Sequence, residues 1–374
     1  MTRPHLSIYL SPRRIETRDY YGTSETIRWA YLGKQFHEKI RLERELGSSY
    51  ECLDIARIHN DVADAIREEF NTWMDGLNRM NGSAFEWWMG AVSSRNVYRS
   101  DIYQFCCYVE ILARLWSKSA HRPAFVVVES PALAKVIERW ATSHGITVSR
   151  KGWYTAFLFR MKGFGAFMLR WGNSIMTLCL RKGASLVLAD RSPIPVSGGE
   201  PMVFIHTYLH PASVSDDGVF FDRYFPFLYD FLEKNGKSIL IIPTYNGFRY
   251  NFLSLFRRMR RSRTKFVALE QCLTITDIFH AFCYPFHLLF GKCQSTDFRG
   301  NNYHEVLRED TLLDNFEDSL DAILTYRLVA RLAHVGMNPE RLIDWYENQP
   351  INRALSAGFR KYFPGVPIIG VQSF

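Results

Sequence analysis

Short apolar runs, most of them followed by a segment with helical periodicity, recur through the last two thirds of this 374-residue chain. The runs are "AFVVVES" (124–130), "MVFIHTYLHP" (202–211), "KSILIIPTYNG" (237–247), "TKFVALEQ" (264–271) and "RLIDWYENQ" (341–349), and "VPIIGVQSF" ends the sequence. Strands that are apolar along their whole length are typical of a parallel sheet with helices on both faces. We therefore predict a Rossmann-like α/β domain over residues 121–374, with ligands bound beyond the carboxyl ends of its strands.

The first 120 residues show helical periodicity instead. Ile58, Val62, Ile66 and Phe70 are spaced four residues apart and form one stripe of an amphipathic helix. The run "SDIYQFCCYVEILARLW" (100–116) indicates a second helix. We predict a helical N-terminal region over residues 1–120 that precedes the α/β domain.

A basic, aromatic insertion at residues 150–189 interrupts the alternation of strands and helices. It contains seven Lys or Arg residues and no acidic residue, in a chain whose net charge is +8. Such a stretch suits the plane of an anionic membrane surface. The alternative is a buried helix pair whose arginines reach solvent along their aliphatic stems. The candidates for membrane contact are Trp153, Arg160, Lys162, Phe167, Arg170 and Trp171.

The motifs of several common functional sites are missing. The sequence lacks GxxxxGK[ST], GxSxG, HExxH and Asp-x-Asp, and "GFGAFM" breaks the GxGxxG pattern at its last position. The seven cysteines show no Cys-x-x-Cys spacing, which favours reduced thiols in a cytoplasmic protein. No signal peptide and no run of about 18 uncharged apolar residues is present. We predict no metal and no cofactor.

Histidines follow the apolar run "MVFI". His206 and His210 lie where a strand should end, and Asp222 and Arg223 come shortly afterwards. A histidine at such an edge can act as a general base or donate to a phosphate, although a structural hydrogen bond is the commoner role. We take His206 as a catalytic candidate and His210, Asp222 and Arg223 as candidates for substrate binding.

An acid followed by an amide occurs at two further strand ends. Glu347 is followed by Asn348 and Gln349, and Glu270 by Gln271. A carboxylate can deprotonate a hydroxyl group, and amides can both donate to and accept from sugar hydroxyls. The alternative for Glu347 is that it stabilises the first turn of the next helix. We take Glu347 as the second catalytic candidate and the other four residues of these groups as substrate-binding candidates.

Two stretches resemble a known family. "HTYLHPASVSDDGVFFDRYFPFLYDFLEKNGKSILIIP" and "LIDWYENQPINRALSAGFRKYFPGVPIIGVQSF" look like bacterial surface-carbohydrate biosynthesis proteins encoded with O-antigen or capsule genes. The shared features are an Asp-Arg-Tyr-Phe helix start at 222–225, Glu-Asn-Gln at 347–349 and an Ile-Gly-x-Gln strand at 369–372. The resemblance covers residues 200–374 and implies the N-terminal domain of a GT-B-like glycosyltransferase. It adds Gln372 to the substrate-binding candidates.

The sequence departs from this family at its end. In the family the Ile-Gly-x-Gln strand leads into a second Rossmann domain that binds the donor nucleotide, whereas here the sequence stops four residues after Gly370. Either the chain is a shortened form or a partner supplies the donor half, and we favour the first. We therefore expect the C-terminal donor domain to be absent and this chain by itself to be inactive.

The resemblance implies transfer of a sugar from a nucleotide-sugar donor to a lipid-linked or growing surface glycan. The enzyme would lie at the cytoplasmic face of the inner membrane, on an anionic surface, and would bind no nucleic acid. A polyol-phosphate transferase with a similar two-domain frame is one alternative. A non-enzymatic, membrane-peripheral polysaccharide assembly protein is the other.

Overall fold

A computed structural model describes residues 4–10, 15, 26–82, 84–95, 97, 99–118, 122–151, 153–188, 200–246, 251–290, 296–311 and 316–372. The chain divides into two compact units. Unit 1 consists of Met1–Ser83, Arg95–Phe167 and Gly291–Asp314, and unit 2 of Ala84–Ser94, Met168–Phe290 and Asn315–Phe374. Each unit is built around its own sheet of five parallel strands.

The sheet of unit 1 has the strand order β3-β2-β4-β1-β5. Its strands are β1 (His5–Leu10), β2 (Ile27–Leu32), β3 (Tyr50–Cys52), β4 (Phe125–Val128) and β5 (Thr147–Lys151). All pairings are parallel. The central strands are buried on both faces, and the rings of Trp29 and Phe125 stack in the core with centroids 5.7 Å apart. Complete burial explains why β4 consists of apolar residues alone.

Helices cover this sheet. They are α1 (Phe36–Leu46), α2 (Ala56–Met80), α4 (Ile102–Ser117), α5 (Pro131–Ser143) and α11 (His304–Glu309), and β9 (Asp297–Phe298) and β10 (Asn301–Asn302) form a short antiparallel pair. Helix α5 begins as its sequence predicts, because Ser130 Oγ accepts the Leu133 N–H and Pro131 occupies the first helical position. In α2 the predicted stripe is buried at Val62, Ile66 and Phe70.

The helical N-terminal region expected from the sequence is not clearly confirmed. Helices α1, α2 and α4 lie within the first 120 residues, but so do the strands β1, β2 and β3. The run 124–130, predicted to begin the sheet of the later strands, instead pairs with β1 and β2. Strand pairing joins segments that are distant in sequence, so the six-residue runs "HLSIYL" and "IRWAYL" gave no local sign of their partner.

The sheet of unit 2 has the order β12-β11-β6-β7-β8, again with parallel pairings only. Its strands are β6 (Met202–Leu209), β7 (Ser238–Tyr245), β8 (Lys265–Phe266), β11 (Pro339–Trp345) and β12 (Ile368–Val371). All five fall in runs that the sequence predicts as strands. The α/β class with parallel sheets flanked by helices is therefore confirmed. The terminal run "VPIIGVQSF" contributes the edge strand β12.

The helices of unit 2 are α3 (Phe85–Met89), α7 (Leu228–Lys234), α8 (Phe252–Arg261), α9 (Leu269–Cys272), α10 (Ile275–Phe290), α12 (Phe316–His334) and α13 (Pro350–Tyr362). Helices α12 and α13 can pack closely because Gly358 has no side chain. A Cβ atom at this position would lie only 2.9 Å from Cβ of Val329. The predicted insertion forms one helix of 33 residues, α6 (Trp153–Ser185), whose residues from Met168 onward belong to unit 2.

Candidate active site

The strand order of unit 2 has a topological switch point between β6 and β11. The chain leaves β6 toward β7 on one side and leaves β11 toward β12 on the other, so the connections diverge between these two neighbouring strands. In open parallel sheets this switch point is where ligands bind. The side chains described below surround it.

A buried polar relay joins the strands next to this switch point. The Nδ1–H of His206 on β6 donates to Oδ1 of Asp344 on β11 at 2.6 Å, and Oγ1 of Thr244 on β7 lies 2.8 Å from Nε2 of His206. The tautomer is assigned from the carboxylate partner. His206 and Asp344 are fully buried. Both ring nitrogens of His206 are thus engaged inside unit 2, and neither has a lone pair directed to solvent.

Asn352, in the first turn of α13, continues the relay to the surface. Its Nδ2 donates to Oδ1 of Asp344 and to the carbonyl oxygen of Trp345, each at 3.0 Å. Its Oδ1 accepts the backbone N–H groups of Glu347 at 3.3 Å and Gln349 at 3.1 Å. One buried amide therefore determines the shape of the loop that presents the Glu-Asn-Gln motif.

The loop turns sharply at Asn348, which has φ = +54°. Asparagine tolerates this left-handed conformation better than most residues. Its Nδ2 donates to the carbonyl oxygen of Ser94 at 3.1 Å. Arg353 holds the same segment, donating to the carbonyl oxygen of Gly90 at 2.7 Å and to Oγ of Ser93, and burial lowers the pKa of Arg353 to about 10. The middle of the motif is thus used for structure.

Glu347 is exposed, and its carboxylate is held from two sides. The indole N–H of Trp345 donates to Oε1 at 2.9 Å, and Nε2 of Gln349 donates to Oε2 at 2.6 Å. Each carboxylate oxygen can accept more than one hydrogen bond, so both retain acceptor capacity toward solvent. Glu347 is therefore a fixed and accessible carboxylate at the switch point. This geometry suits a general base better than that of His206.

An aromatic group borders the carboxylate. The rings of Tyr224 and Trp345 lie 4.6 Å apart, and the His210 ring stacks on Tyr224 at 6.0 Å. Burial raises the pKa of Tyr224, whose hydroxyl oxygen lies 3.1 Å from Nε2 of His210 within hydrogen-bond distance. The exposed guanidinium of Arg223 lies 5.4 Å from the Tyr224 ring centroid. His210 and Arg223 therefore both lie next to Tyr224. The Tyr224 ring in turn contacts Trp345, which binds Glu347.

Asp222 is buried and fully used inside unit 2. Its Oδ1 accepts the backbone N–H of Tyr224 at 2.8 Å and that of Phe225 at 3.3 Å, and its Oδ2 accepts the Tyr229 hydroxyl at 2.7 Å. This is the local pattern by which aspartate fixes the start of a helix-like turn. Asp222 of the Asp-Arg-Tyr-Phe motif thus fixes the position of Tyr224. Both of its carboxylate oxygens are buried and hydrogen-bonded within unit 2, so neither faces a substrate.

Glu270 and Gln271 lie on the short helix α9, after the two-residue strand β8. Glu270 is fully buried and forms an ion pair with Arg181 of α6, while Tyr245 donates to its Oε2 at 3.4 Å. Burial, and then the charge of Glu270, raise the pKa of Tyr245. Gln271 donates to the carbonyl oxygen of Leu188 at 3.2 Å. This second acid and amide pair anchors α6 and does not join the group around Glu347.

The remaining predicted residues are Gln372 and the membrane candidates. Gln372 is exposed and directly follows β12, whose Val371 is the register partner of Trp345, so it lies at the same sheet edge as the Glu-Asn-Gln motif. Of the membrane candidates, Phe167 is buried, and Trp171 contacts α10 through a ring contact with Phe282 and a hydrogen bond to its carbonyl oxygen. Arg170 is half-buried. The side chains of Trp153, Arg160 and Lys162 lie outside the described residues.

The three residues that join His206 in the buried relay, Thr244, Asp344 and Asn352, were not predicted from the sequence. Asp344 is an acid inside the apolar run "LIDW", which is a sign of a paired buried charge. Thr244 and Asn352 gave no such sign. Within the described part of the chain, Oδ2 of Asp344 has no hydrogen-bond partner.

The described residues contain no group of three or more His, Cys, Asp or Glu side chains that could hold a metal ion. None of the helices among them is both long and apolar enough to cross a membrane.

Comparison with known proteins found no matching family model, no matching curated protein and no matching solved structure. The likeness to surface-carbohydrate proteins therefore stays a prediction from the motifs.

Proposed function

We propose that this chain is part of a GT-B-like glycosyltransferase, which moves a sugar from a nucleotide-sugar donor to a lipid-linked or growing surface glycan. The observation that carries the proposal is the Glu347 carboxylate, held by Trp345 and Gln349 and open to solvent at the switch point of a parallel sheet. A fixed carboxylate next to amide and aromatic groups is a suitable acceptor site for a sugar hydroxyl.

In the proposed reaction Glu347 accepts the proton of the acceptor hydroxyl as its oxygen attacks the anomeric carbon of the donor sugar. The bond from that carbon to the nucleotide phosphate breaks, and the nucleotide leaves with the electron pair. The two hydrogen bonds to Glu347 limit its rotation, so that its proton-accepting lone pair keeps one direction. The faces of Tyr224 and His210 offer a partly exposed aromatic surface on which a sugar ring can pack.

His206 has a supporting role in this proposal. Its ring is buried between Thr244 and Asp344, and Asp344 in turn binds Asn352. This arrangement positions the loop with Glu347 and involves no contact with solvent. The proposed base is therefore Glu347, and His206 acts through the loop.

The proposal does not assign the site that binds the donor nucleotide. The resemblance implies that a further Rossmann domain binds the nucleotide. The chain has two Rossmann-like units, the number found in a GT-B frame, and a net charge of +8 favours a diphosphate. The arrangement at the inner membrane also stays part of the proposal.

The test starts with ligand binding by this chain, measured by saturation-transfer-difference NMR with nucleotide sugars, CDP-polyols and oligosaccharides. A transfer assay with the responding donor and acceptor follows, because the chain has two Rossmann-like units, as a GT-B frame does, and measurable transfer would replace the expectation that the chain by itself is inactive. We expect Glu347→Gln to lower transfer by about 10²- to 10⁴-fold, the usual contribution of a general base, while the affinity for the acceptor changes little. Glu233→Gln on α7, which also changes an exposed glutamate of unit 2, is the matched control.

Three outcomes would contradict the proposal. A response to CDP-polyols alone would favour the polyol-phosphate transferase. Absence of binding to every sugar and nucleotide ligand would favour the assembly protein. Full transfer activity in the Glu347→Gln variant would exclude this carboxylate as the base.

A further inference from the structure

Arg353, in the first turn of α13, is a half-buried cation without a carboxylate partner. Burial lowers the pKa of Arg353 to about 10, so the side chain is still charged at neutral pH. Its Nη1 donates to Oγ of Ser93, and its Nη2 donates to the carbonyl oxygen of Gly90 at 2.7 Å. Both acceptors are uncharged, and within the part of the chain that the structure describes Arg353 forms no ion pair. A charge withdrawn from water is normally paired, so this arrangement indicates an anionic ligand.

Two features of its surroundings raise the free-energy cost of this charge. A guanidinium has more N–H groups than the acceptors on Ser93 and Gly90 can use. Its Nε is shielded from water and has no hydrogen-bond partner among the described residues. Helix α13 begins at Pro350, and the positive end of its dipole disfavours a cation in the first turn. The described residues therefore leave the positive charge of Arg353 uncompensated.

Two other arginines of unit 2 show the usual arrangement. Arg181 forms an ion pair with the fully buried Glu270, and Arg331 forms one with the buried Asp277. To hold the segment 90–94 alone, a neutral donor at position 353 would make the same kind of contact with a smaller desolvation cost. The charge of Arg353 therefore has a use beyond its contacts with that segment.

The position of Arg353 indicates which anion it binds. Its neighbour Asn352 accepts the backbone N–H groups of Glu347 and Gln349, so Arg353 belongs to the same loop and helical turn as the proposed base. The planar guanidinium matches the oxygens of a phosphate group. In the proposed reaction the nucleotide phosphate leaves with the electron pair, and a fixed cation stabilises the negative charge that develops on it.

We infer that Arg353 binds a phosphate group of the substrate through its guanidinium. Its contacts with Gly90 and Ser93 hold the guanidinium in place for this purpose. The source of the phosphate, the diphosphate of the nucleotide-sugar donor, is the one point that rests on the proposed function. Glu347 then accepts the proton of the acceptor, while Arg353 binds the leaving phosphate.

The test is isothermal titration calorimetry of the unchanged chain with sodium pyrophosphate, at an ionic strength held constant with sodium chloride. We expect saturable binding. Arg353→Gln should raise the Kd at least about tenfold, because it removes charge-assisted hydrogen bonds. Arg353→Lys keeps the charge but loses the planar fork, and should give an intermediate Kd. The matched control is Arg360→Gln, which changes an exposed arginine of the same helix and should raise the Kd less than about twofold.

Nucleoside diphosphates identify the source of the phosphate. Tighter binding of UDP, CDP or GDP than of pyrophosphate, lost in Arg353→Gln, would assign the phosphate to the nucleotide donor. Equal affinities, also lost in Arg353→Gln, would support a phosphate group carried by another molecule, such as the lipid of the acceptor. No sugar is transferred in these titrations, so their failure is distinct from failure of the transfer assay with Glu347→Gln.

Three results would overturn the inference: no saturable binding of pyrophosphate or of any nucleoside diphosphate, unchanged binding in Arg353→Gln, or an equal loss in Arg360→Gln. Circular dichroism shows whether each variant is folded. If both Arg353 variants fail to fold, chemical modification of the unchanged chain by phenylglyoxal decides, with the modified arginines identified by mass spectrometry. Pyrophosphate at ten times its Kd should slow modification of Arg353 about tenfold, because only the free chain reacts, and should leave Arg360 unaffected. Equal protection of both arginines, or of neither, would also overturn the inference.

Discussion

Replacing Asn352 by alanine should lower the free energy of unfolding of unit 2 by about 3–4 kcal/mol. The side chain is fully buried and makes four hydrogen bonds. Two of them hold the loop of Glu347 and Gln349, and two reach Asp344 and the Trp345 backbone. The change removes all four at once and leaves the surrounding groups in place.

The magnitude follows from the environment of each partner. Asp344 is a buried carboxylate whose Oδ2 already has no partner among the described residues, so losing the donor on Oδ1 costs about 1.5–3 kcal/mol. The Trp345 carbonyl oxygen adds about 1 kcal/mol. The N–H groups of Glu347 and Gln349 are in an exposed loop where water replaces the amide, and together they add less than about 1 kcal/mol.

Equilibrium unfolding in urea, followed by tryptophan fluorescence and circular dichroism, measures the change. The two units can give separate transitions, so the data are fitted with one step for each. The matched control is Asn235→Ala at the end of α7, where the side chain donates to the Phe231 carbonyl oxygen at 2.7 Å in an exposed position. We expect the control to change stability by less than about 0.5–1 kcal/mol.

A loss of less than about 1 kcal/mol for Asn352→Ala, or a loss equal to that of the control, would contradict this prediction. It would mean that water satisfies Asp344 and the loop as well as the amide does. The same result would remove the argument that the relay from His206 positions Glu347.

Two further predictions concern other parts of unit 2. Hydrogen bonds from Arg331 overcome the effect of burial and lower the pKa of Asp277 to about 2, so this carboxylate stabilises the fold above its unfolded pKa and ceases to do so as the pH falls toward 2. Arg331→Met should therefore lower the free energy of unfolding by about 2 kcal/mol at pH 7 and at pH 5, but by less at pH 3. An equal loss at all three pH values, measured by urea unfolding, would contradict this. Gly218 has φ = +87°, and an added Cβ would lie 2.6 Å from the backbone carbon of Arg261. Gly218→Ala should lower the free energy of unfolding by about 2–4 kcal/mol. The control Gly236→Ala, at a residue with φ = +68° and open space around it, should lower it by about 1 kcal/mol. Similar shifts in the unfolding temperature for both variants would exclude the clash as the cause.

The alternation of apolar runs and helices predicted the α/β class and the strands of unit 2. It did so because burial on both faces leaves few residue types for a parallel strand. The same pattern failed for β1, β2 and β3. These are short, and their sheet partner β4 is separated from β3 by α2, α3 and α4 in the sequence.

The site was predicted in part. The position of Glu347 beyond β11 follows from local sequence, since an acid directly after an apolar run lies at a strand end. His206 and Glu270 satisfied the same rule, yet both are fully buried with partners supplied by other elements. A strand-end position does not reveal whether a side chain turns outward or pairs inside.

The class of fold, the strands of unit 2 and the place of the Glu-Asn-Gln motif could be predicted from the sequence alone, whereas the single helix of the basic insertion could not. These properties depend on residue order over distances of a few residues. That Asp344 and Asn352 connect His206 to the Glu347 loop, and that Phe167 of α6 is buried while Leu169 and Met176 are exposed, follows only from the tertiary structure. Those choices depend on which distant segments pair, because a hydrogen bond or a buried ion pair needs two partners and local sequence names only one of them.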